Sequence, residues 1–184
     1  YLPQISVPLF IKSVRDDTQT VVIKGEDETL NAHLVKRHEQ GTRINLNLIG
    51  EVVLGEEEAK ERMEKYLKVL ENPNVDYISI KISTIFSQIN ALSYEDTIQE
   101  LVERLSLIYA QAQKYSFTNA KGESENKFIN LDMEEYRDLS LTVNAFTTTL
   151  DKPEFKNLYA GIVLQAYLPD SHLWQQKLVA WAKQ

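Results

Sequence analysis

The sequence predicts an α/β protein in which parallel strands alternate with helices. From residue 43 onward, short runs rich in β-branched residues alternate with amphipathic stretches, the order expected of parallel βαβ units. Four such units fit between residues 43 and 184, and a chain of 184 residues is too short for a complete eight-unit barrel. We therefore expect four parallel β/α units over residues 43–184, preceded by an N-terminal segment over residues 1–42.

The first two units follow from two periodicities. Residues 43–49 alternate apolar and polar side chains, which predicts the first strand. Residues 56–70 place apolar side chains on one helical face and three glutamates in the first turn, where the helix dipole favours carboxylates. Residues 76–82 alternate again and are β-branched, and Ser93 is the predicted cap of a long amphipathic helix.

The last two units begin after a polar stretch, residues 118–127, which we interpret as a mobile surface loop. Residues 128–132 form the third predicted strand, and residues 136–150 carry one apolar stripe typical of a helix. The apolar run 162–167 predicts a fourth strand buried on both faces. A last helix is expected after the turn residues 169–171.

The N-terminal segment is less regular. It contains one possible strand at residues 20–24 and a short helix at residues 29–39. His33 and His38 in this helix are five residues apart and do not share a helical face, so we expect solvated side chains and no metal site.

Composition excludes several classes of function. The formal net charge is −7 and there are no cysteines, which disfavours nucleic-acid binding and excludes disulfides, thiolate catalysis and cysteine metal sites. No apolar run has the ~20 residues that a membrane helix needs. The absence of cysteines fits a reducing compartment, and we expect a cytoplasmic protein.

Four polar residues could face the carboxyl-end mouth of a parallel sheet, where ligands bind: Glu51 after the first predicted strand, and Lys81, Asp132 and Gln165 on the next three. Lys81 is the most informative, because an ammonium between two isoleucines on a core strand needs an anion, a ligand or solvent. The alternative is that each residue is an ordinary polar side chain near a turn. The acidic run 132–135 also suits the N-terminus of a helix, and we favour a capping role over a cation site.

Four strings occur in order along the sequence: residues 47–51 (NLIGE), 79–83 (SIKIS), 129–135 (INLDMEE) and 163–167 (VLQAY). Together they resemble the flavin-dependent proline dehydrogenases, including the proline dehydrogenase part of the bifunctional proline utilisation proteins. The resemblance covers the chain from about residue 43 to its C-terminus, and it implies that residues 43–184 form about half of a TIM-type (β/α)8 barrel.

The resemblance implies a barrel that holds FAD at the carboxyl ends of its strands and oxidises L-proline to 1-pyrroline-5-carboxylate by hydride transfer to the flavin. It implies that Lys81 meets the substrate carboxylate and that Asp132 is the active-site aspartate of the third strand. It also implies that Gln165 hydrogen-bonds the isoalloxazine ring, and that Glu51 is a carboxylate that pairs with an arginine of the last barrel helix.

Further site residues of the family would lie beyond residue 184. We therefore expect the isolated chain to be inactive and free of flavin, and to self-associate through unpaired strand edges. An aldehyde dehydrogenase domain is a possible C-terminal neighbour in the parent, and quinone reduction would bring the parent to a membrane. Two alternatives stay open: a barrel lyase that forms a Schiff base on Lys81, and a non-catalytic interaction or structural fragment.

Overall fold

A computed structural model describes residues 2–18, 27–48, 53–119 and 121–184. The chain divides into two compact units, residues 1–42 and residues 43–184. The smaller unit contains helices α1 (Pro3–Thr18) and α2 (Asp27–Glu39). The sequence predicts α2 but not α1, in which Pro8 interrupts the pattern and no side chain is buried. The predicted strand at residues 20–24 lies outside the described residues.

The larger unit contains the predicted β/α units and one hairpin. Short 3-10 helices occupy residues 91–93, 136–138 and 153–155. Its other elements, in chain order, are β1 (Asn45–Asn47), α3 (Glu56–Glu71), β2 (Tyr77–Lys81), α4 (Ile82–Ile85), α5 (Tyr94–Lys114), β3 (Ser116–Thr118), β4 (Ser124–Asn126), β5 (Phe128–Asp132), α6 (Leu139–Leu150), β6 (Ala160–Ile162) and α7 (Ser171–Trp181).

Four parallel strands form the sheet in the order β1-β2-β5-β6. The register aligns Lys81 at the end of β2 with Asp132 at the end of β5. Each strand is followed by at least one helix before the next strand of this sheet. The α/β fold with parallel units is therefore confirmed, and the architecture is that of about half of a (β/α)8 barrel.

One face of this sheet carries the hydrophobic core. Ile78 and Ile80 of β2 and Ile129 and Leu131 of β5 are all at most 1% exposed. Because side chains alternate along a strand, the neighbouring positions point to the opposite face. The sequence places polar residues at most of those positions, and that face holds the candidate site.

The predicted surface loop at residues 118–127 is wrong. β3 and β4 pair in antiparallel register, and Phe117 anchors the hairpin as a buried residue. Asn119 builds the turn, since its Oδ1 accepts hydrogen bonds of 2.9 Å from the backbone N–H groups of Lys121 and Glu123. The segment has few apolar residues, which suggested a loop, but side-chain hydrogen bonds stabilise the turn in their place.

The fourth strand is shorter than predicted and lies earlier in the chain, at Ala160–Ile162. It is also only partly buried, contrary to the prediction of a strand buried on both faces. The ladder continues by one hydrogen bond of 2.9 Å, from the N–H of Val163 to the carbonyl of Leu131. Because β6 is the last strand in the order, one of its edges has no neighbour within the described residues, which explains its exposure.

Two predictions about individual side chains also need correction. His38 is 9% exposed and is not a solvated surface residue; it lies four residues after the buried Leu34, on the same helical face of α2. Ser93 precedes α5 but makes no capping hydrogen bond. Instead, the side chain of Asn90 accepts a hydrogen bond of 2.9 Å from the N–H of Leu92 and caps the 3-10 turn before the helix.

Candidate active site

A polar face runs along the sheet opposite the core. We define it by residues that alternate with the buried isoleucines and leucine on the strands: Asn45, Asn47, Ser79, Lys81, Asn130 and Asp132. Asn45 of β1 donates a hydrogen bond of 2.9 Å to the Ser79 hydroxyl of β2, and within β5 Asn130 donates to Asp132 at 2.5 Å. These polar side chains satisfy one another, so the face remains polar up to the carboxyl ends of β2 and β5.

Lys81 pairs with a carboxylate that the sequence analysis assigned to a helix start. Its Nζ lies 2.7 Å from Oε1 of Glu134. The other oxygen, Oε2, accepts a hydrogen bond of 2.7 Å from the hydroxyl of Ser83. The capping interpretation is wrong for Glu134, because α6 begins only at Leu139 and the intervening residues hold the carboxylate beside the end of β2.

Asp132 is the last residue of β5 and lies opposite Lys81 in the parallel register. Burial raises the pKa of the Asp132 carboxyl above its ordinary value, although hydrogen bonds from Ser79 and Asn130 and the charge of Lys81 act in the opposite direction. Asp132 is therefore a carboxyl group whose charge is costly in this environment. Such groups are common where a protein binds or transforms a ligand.

Gln165 follows β6 and reaches the same rim. Its Nε2 donates a hydrogen bond of 2.7 Å to the main-chain carbonyl of Glu134. The structure therefore brings Lys81, Asp132 and Gln165 together at one rim, with Glu134 touching two of them. Glu51, the fourth predicted site residue, lies outside the described residues.

A cavity of about 480 Å³ opens beside this rim, between α4 and the loop that follows β5. Its charged lining consists of four acidic residues and one cation: Asp132, Glu134, Glu135, Asp138 and Arg137. Burial raises the pKa of Asp138 as well. The volume is in the range of small-molecule sites, and the acidic lining favours a ligand that carries a positive charge.

A second charged cluster lies at the opposite, amino ends of the same strands. Lys127, directly before β5, is 0% exposed, and its Nζ donates hydrogen bonds to the carbonyls of Asn72 (2.7 Å) and Val75 (2.5 Å). Asp76, directly before β2, is also fully buried and pairs with Nε of Arg43 at 2.7 Å. Burial lowers the pKa of Lys127 to about 8, and the nearby Asp76 opposes this shift.

Over the described ranges, no group of three or more His, Asp or Glu side chains is placed to hold a metal ion. Within the same ranges, no helix has the length and apolar character needed to cross a bilayer. His172 lies exposed in the first turn of α7, where its ring contacts Gln176 at 3.0 Å.

Comparisons with known proteins agree with this geometry. The protein-family model for proline dehydrogenase matches residues 30–184. Proline utilization A from Corynebacterium freiburgense is 40% identical over 96% of this chain, with a TM-score of 0.81. Proline utilization A from Bdellovibrio bacteriovorus, inactivated by N-propargylglycine, is 27% identical over 100% of the chain, with a TM-score of 0.79.

The chain spans 18% and 20% of the lengths of these two proteins. A mutant proline utilization A from Bradyrhizobium japonicum is 21% identical over 81% of this chain, with a TM-score of 0.65. The match spans 16% of that protein. At this identity the similarity shows the fold alone. No curated protein matches the chain.

Parallel β/α units with a polar rim at the carboxyl ends define the class, an α/β protein of the barrel type. Within that class, the chain belongs to the proline dehydrogenase family, since the family model covers most of its length. The sequence analysis missed the roles of Glu134 and Ser83 in this rim. Both residues lie in strings that carry the resemblance to the family, and this was the available signal. For Glu134, the capping interpretation of residues 132–135 hid that signal.

Proposed function

We propose that the protein containing this chain oxidises L-proline to 1-pyrroline-5-carboxylate with FAD as the hydride acceptor. Membership of the proline dehydrogenase family supports the substrate and reaction class. The observation that carries the proposal is the convergence of Lys81, Asp132 and Gln165 around Glu134 at the carboxyl ends of the strands. Ligands of parallel barrels bind at that end.

The charges at the rim suit a substrate that is a zwitterion. Lys81 is 22% exposed, so its ammonium can meet the carboxylate of proline and fix the orientation of the ring. The acidic lining beside it, Asp132 and Glu134, suits the positively charged secondary amine. A site with charges of both signs a few ångströms apart thus favours an amino acid over a simple acid or a simple amine.

The described residues fit one part of FAD. Gln165 offers an amide whose Oε1 would accept a hydrogen bond from the ring N–H of an isoalloxazine. When bound, the flavin accepts the hydride from the substrate. A diphosphate fits less well here, because Lys81 and Arg137 both pair with carboxylates, Arg137 with Glu135 at 2.8 Å.

We therefore propose that these 184 residues, purified alone, bind FAD weakly and do not turn over proline. Each charge-assisted hydrogen bond to a bound dinucleotide is worth about 1.5–3 kcal/mol. The described rim can supply few such hydrogen bonds, because its cations Lys81 and Arg137 already pair with carboxylates. A purified 184-residue chain that retains stoichiometric flavin after gel filtration would overturn this part of the proposal.

The central test is a kinetic measurement on the protein at its natural length, loaded with FAD. L-proline is expected to bleach the flavin absorbance without added electron acceptor. Lys81→Met is expected to raise KM for proline by about 30-fold or more, because it removes the charge-assisted contact to the carboxylate. Lys114→Met, on the exposed end of α5, is the control and should leave KM unchanged.

The Schiff-base alternative makes a different prediction for Lys81. A lyase would form a covalent imine on its amine, and borohydride in the presence of a carbonyl substrate would trap that adduct. We expect no trapped adduct on Lys81 in the peptide mass spectrum. In the structure Nζ contacts the carboxylate of Glu134, an arrangement that suits a bound ammonium. A trapped adduct would favour the lyase.

We also propose that the isolated chain self-associates. Within the described part of the larger unit, β1 and β6 each pair on one side. Val163 and Tyr167, next to β6, are 41% and 77% exposed. Unpaired edges with apolar neighbours favour pairing between copies. Sedimentation at rising concentration should show a dimer that Val163→Glu weakens, and a monomer throughout would contradict the proposal. The cytoplasmic location stays a prediction.

A further inference from the structure

We infer that Glu134 is a positioning residue that connects the substrate side of the rim to its cofactor side. It touches two of the predicted site residues through different groups. Its carboxylate holds Lys81, and its main-chain carbonyl accepts the amide of Gln165. The inference rests on the proposed function, since it assigns Lys81 to the substrate and Gln165 to the flavin.

The side-chain contacts of Glu134 fix both carboxylate oxygens. Oε1 lies 2.7 Å from Nζ of Lys81, and Oε2 accepts a hydrogen bond of 2.7 Å from the hydroxyl of Ser83. With both oxygens engaged, rotation of the carboxylate is restricted. Ser83 lies two residues after Lys81, so the lysine and the group that orients its partner belong to one short segment, the end of β2 and the start of α4.

The main-chain contact of Glu134 acts on the other side. Gln165 follows a short edge strand and is only partly buried. The hydrogen bond of 2.7 Å from its Nε2 to the Glu134 carbonyl holds the amide beside the end of β5. This orientation leaves Oε1 of the Gln165 amide as the group available to accept from a ligand.

The exposure of the pair matters for its role. The side chains of Lys81 and Glu134 are 22% and 38% exposed, so the pair contributes little to folding stability. It does restrict a long, flexible side chain to one geometry. A lysine held in place before the substrate arrives loses less conformational freedom on binding, which is the advantage of preorganisation.

The first test measures how accessible Lys81 is to an amine-acetylating reagent, using peptide mass spectrometry on the 184-residue chain. Glu134→Gln should increase the acetylation rate of Lys81 by about tenfold, because it removes the ion pair. Ser83→Ala should increase it by a smaller factor. Glu135→Gln is the matched control, since Glu135 pairs with Arg137, and should leave the rate unchanged.

Lys127 is the internal standard for folding, because it is 0% exposed. Its acetylation should stay slow in every variant. If Glu134→Gln also exposes Lys127, that variant has opened and Ser83→Ala decides the matter. If Glu134→Gln stays folded and the acetylation rate of Lys81 is unchanged, the inference is overturned. If Glu134→Gln opens, an unchanged acetylation rate of Lys81 in Ser83→Ala overturns it instead.

The second test uses the flavin-loaded protein at its natural length. Glu134→Gln should raise KM for L-proline by about tenfold with a smaller change in kcat, because the cation that meets the carboxylate is no longer held. Glu134→Asp retains the charge and the main-chain carbonyl, and it should recover part of the loss. Equal KM values for Glu134→Gln and the wild type would overturn the role in binding.

The two proposals fail in different ways. If the wild-type protein does not oxidise proline, the proposed function fails, and the acetylation rates still decide whether Glu134 holds Lys81. If proline is oxidised and Lys81→Met impairs it while Glu134→Gln does not, the function stands and the positioning role is overturned.

Discussion

The two ends of strands β2 and β5 use the same residue types in opposite ways. Each end has one lysine and one aspartate on neighbouring strands. At the amino end, Lys127 is fully buried and donates to main-chain carbonyls. At the carboxyl end, Lys81 is partly exposed and contacts a side-chain carboxylate. A lysine fixed by main chain can leave its partners only if the fold opens, whereas a lysine fixed by a side chain can change partners.

This difference separates stability from function within one sheet. The amino end of a parallel barrel contributes to folding, and the carboxyl end binds ligands. Asp76 and Asp132 show the same division, because Asp76 is fully buried against Arg43 whereas Asp132 faces the cavity beside the rim. The comparison predicts that equivalent substitutions at the two ends will have unequal effects on stability.

The largest expected effect is that of removing the Lys127 side chain. Lys127→Ala should lower the free energy of unfolding by about 3 kcal/mol, because it leaves a cavity and removes the donors to two buried carbonyls. Lys81→Ala should cost less than about 1 kcal/mol, as expected of a partly exposed pair. Urea denaturation of both variants measures the difference, and equal losses would contradict the division between the two ends.

Lys127→Met separates the two causes. Methionine fills most of the volume but donates no hydrogen bond, so this variant should lose about 1–2 kcal/mol. If Lys127→Met matches the wild type, the hydrogen bonds to Asn72 and Val75 contribute nothing to stability and the loss in Lys127→Ala comes from the cavity alone.

The second comparison concerns the two aspartates. Asp76→Asn should destabilise the chain by about 2 kcal/mol, because it weakens the charge-assisted hydrogen bond between the buried Asp76 and the half-exposed Arg43. Asp132→Asn should leave the chain as stable as the wild type or slightly more stable at neutral pH, because burial raises the pKa of Asp132 and ionisation is therefore unfavourable. That gain should disappear as the pH falls below 3.8, the ordinary carboxyl value, where Asp132 is protonated in both states.

The third expected effect is a pH dependence that belongs to the amino end. The pKa of Lys127 is lowered to about 8 in the folded chain, below the ordinary value in the unfolded chain. Between these values the unfolded state binds more protons, so stability rises with pH. The wild type should gain about 1–2 kcal/mol relative to Lys127→Met between pH ~8 and ~10. If the difference in unfolding free energy between the wild type and Lys127→Met is constant across that pH range, the lowered pKa of the buried Lys127 is contradicted.

The strands with strict alternation were predictable from sequence, and the turns that shape the site were not. Residues 128–132 coincide with β5 because a buried isoleucine and leucine alternate there with Asn130 and Asp132. The strand expected at residues 162–167 is short, since its apolar residues lie in a loop beside a free edge. Periodicity reports which face a side chain occupies, and it carries no information about where the ladder ends.

The site was predictable as a set of strand ends and less so as a set of contacts. Lys81 and Asp132 follow from the parallel register. Glu134 does not, because an acidic run after a strand is equally consistent with a helix N-terminus. Only the three-dimensional path between Asp132 and Leu139 shows that its carboxylate turns back to Lys81. Lys127 was assigned to a polar loop for a similar reason, since nothing local indicates that carbonyls of residues 72 and 75 surround it.

The last comparison concerns a position between the two ends, Gly161 of β6. A Cβ at this position would lie 2.7 Å from Cζ of Phe128 and 3.2 Å from Oδ1 of Asn130. Phe128 packs edge-on against Tyr77, with ring centroids 4.9 Å apart. Gly161→Ala should therefore cost about 1 kcal/mol and change the near-UV circular dichroism as the ring moves.

Gly55→Ala is the spatial control, because nothing lies within 4 Å of the position its Cβ would take. The informative readout for Gly161→Ala is the acetylation rate of Lys81. If Phe128 alone adjusts, that rate stays at the wild-type value and the two ends behave independently. If Asn130 moves and releases Asp132, Lys81 loses part of its electrostatic environment and its rate changes. We expect the first result, because the tip of the phenylalanine ring is the closer contact and meets the larger overlap.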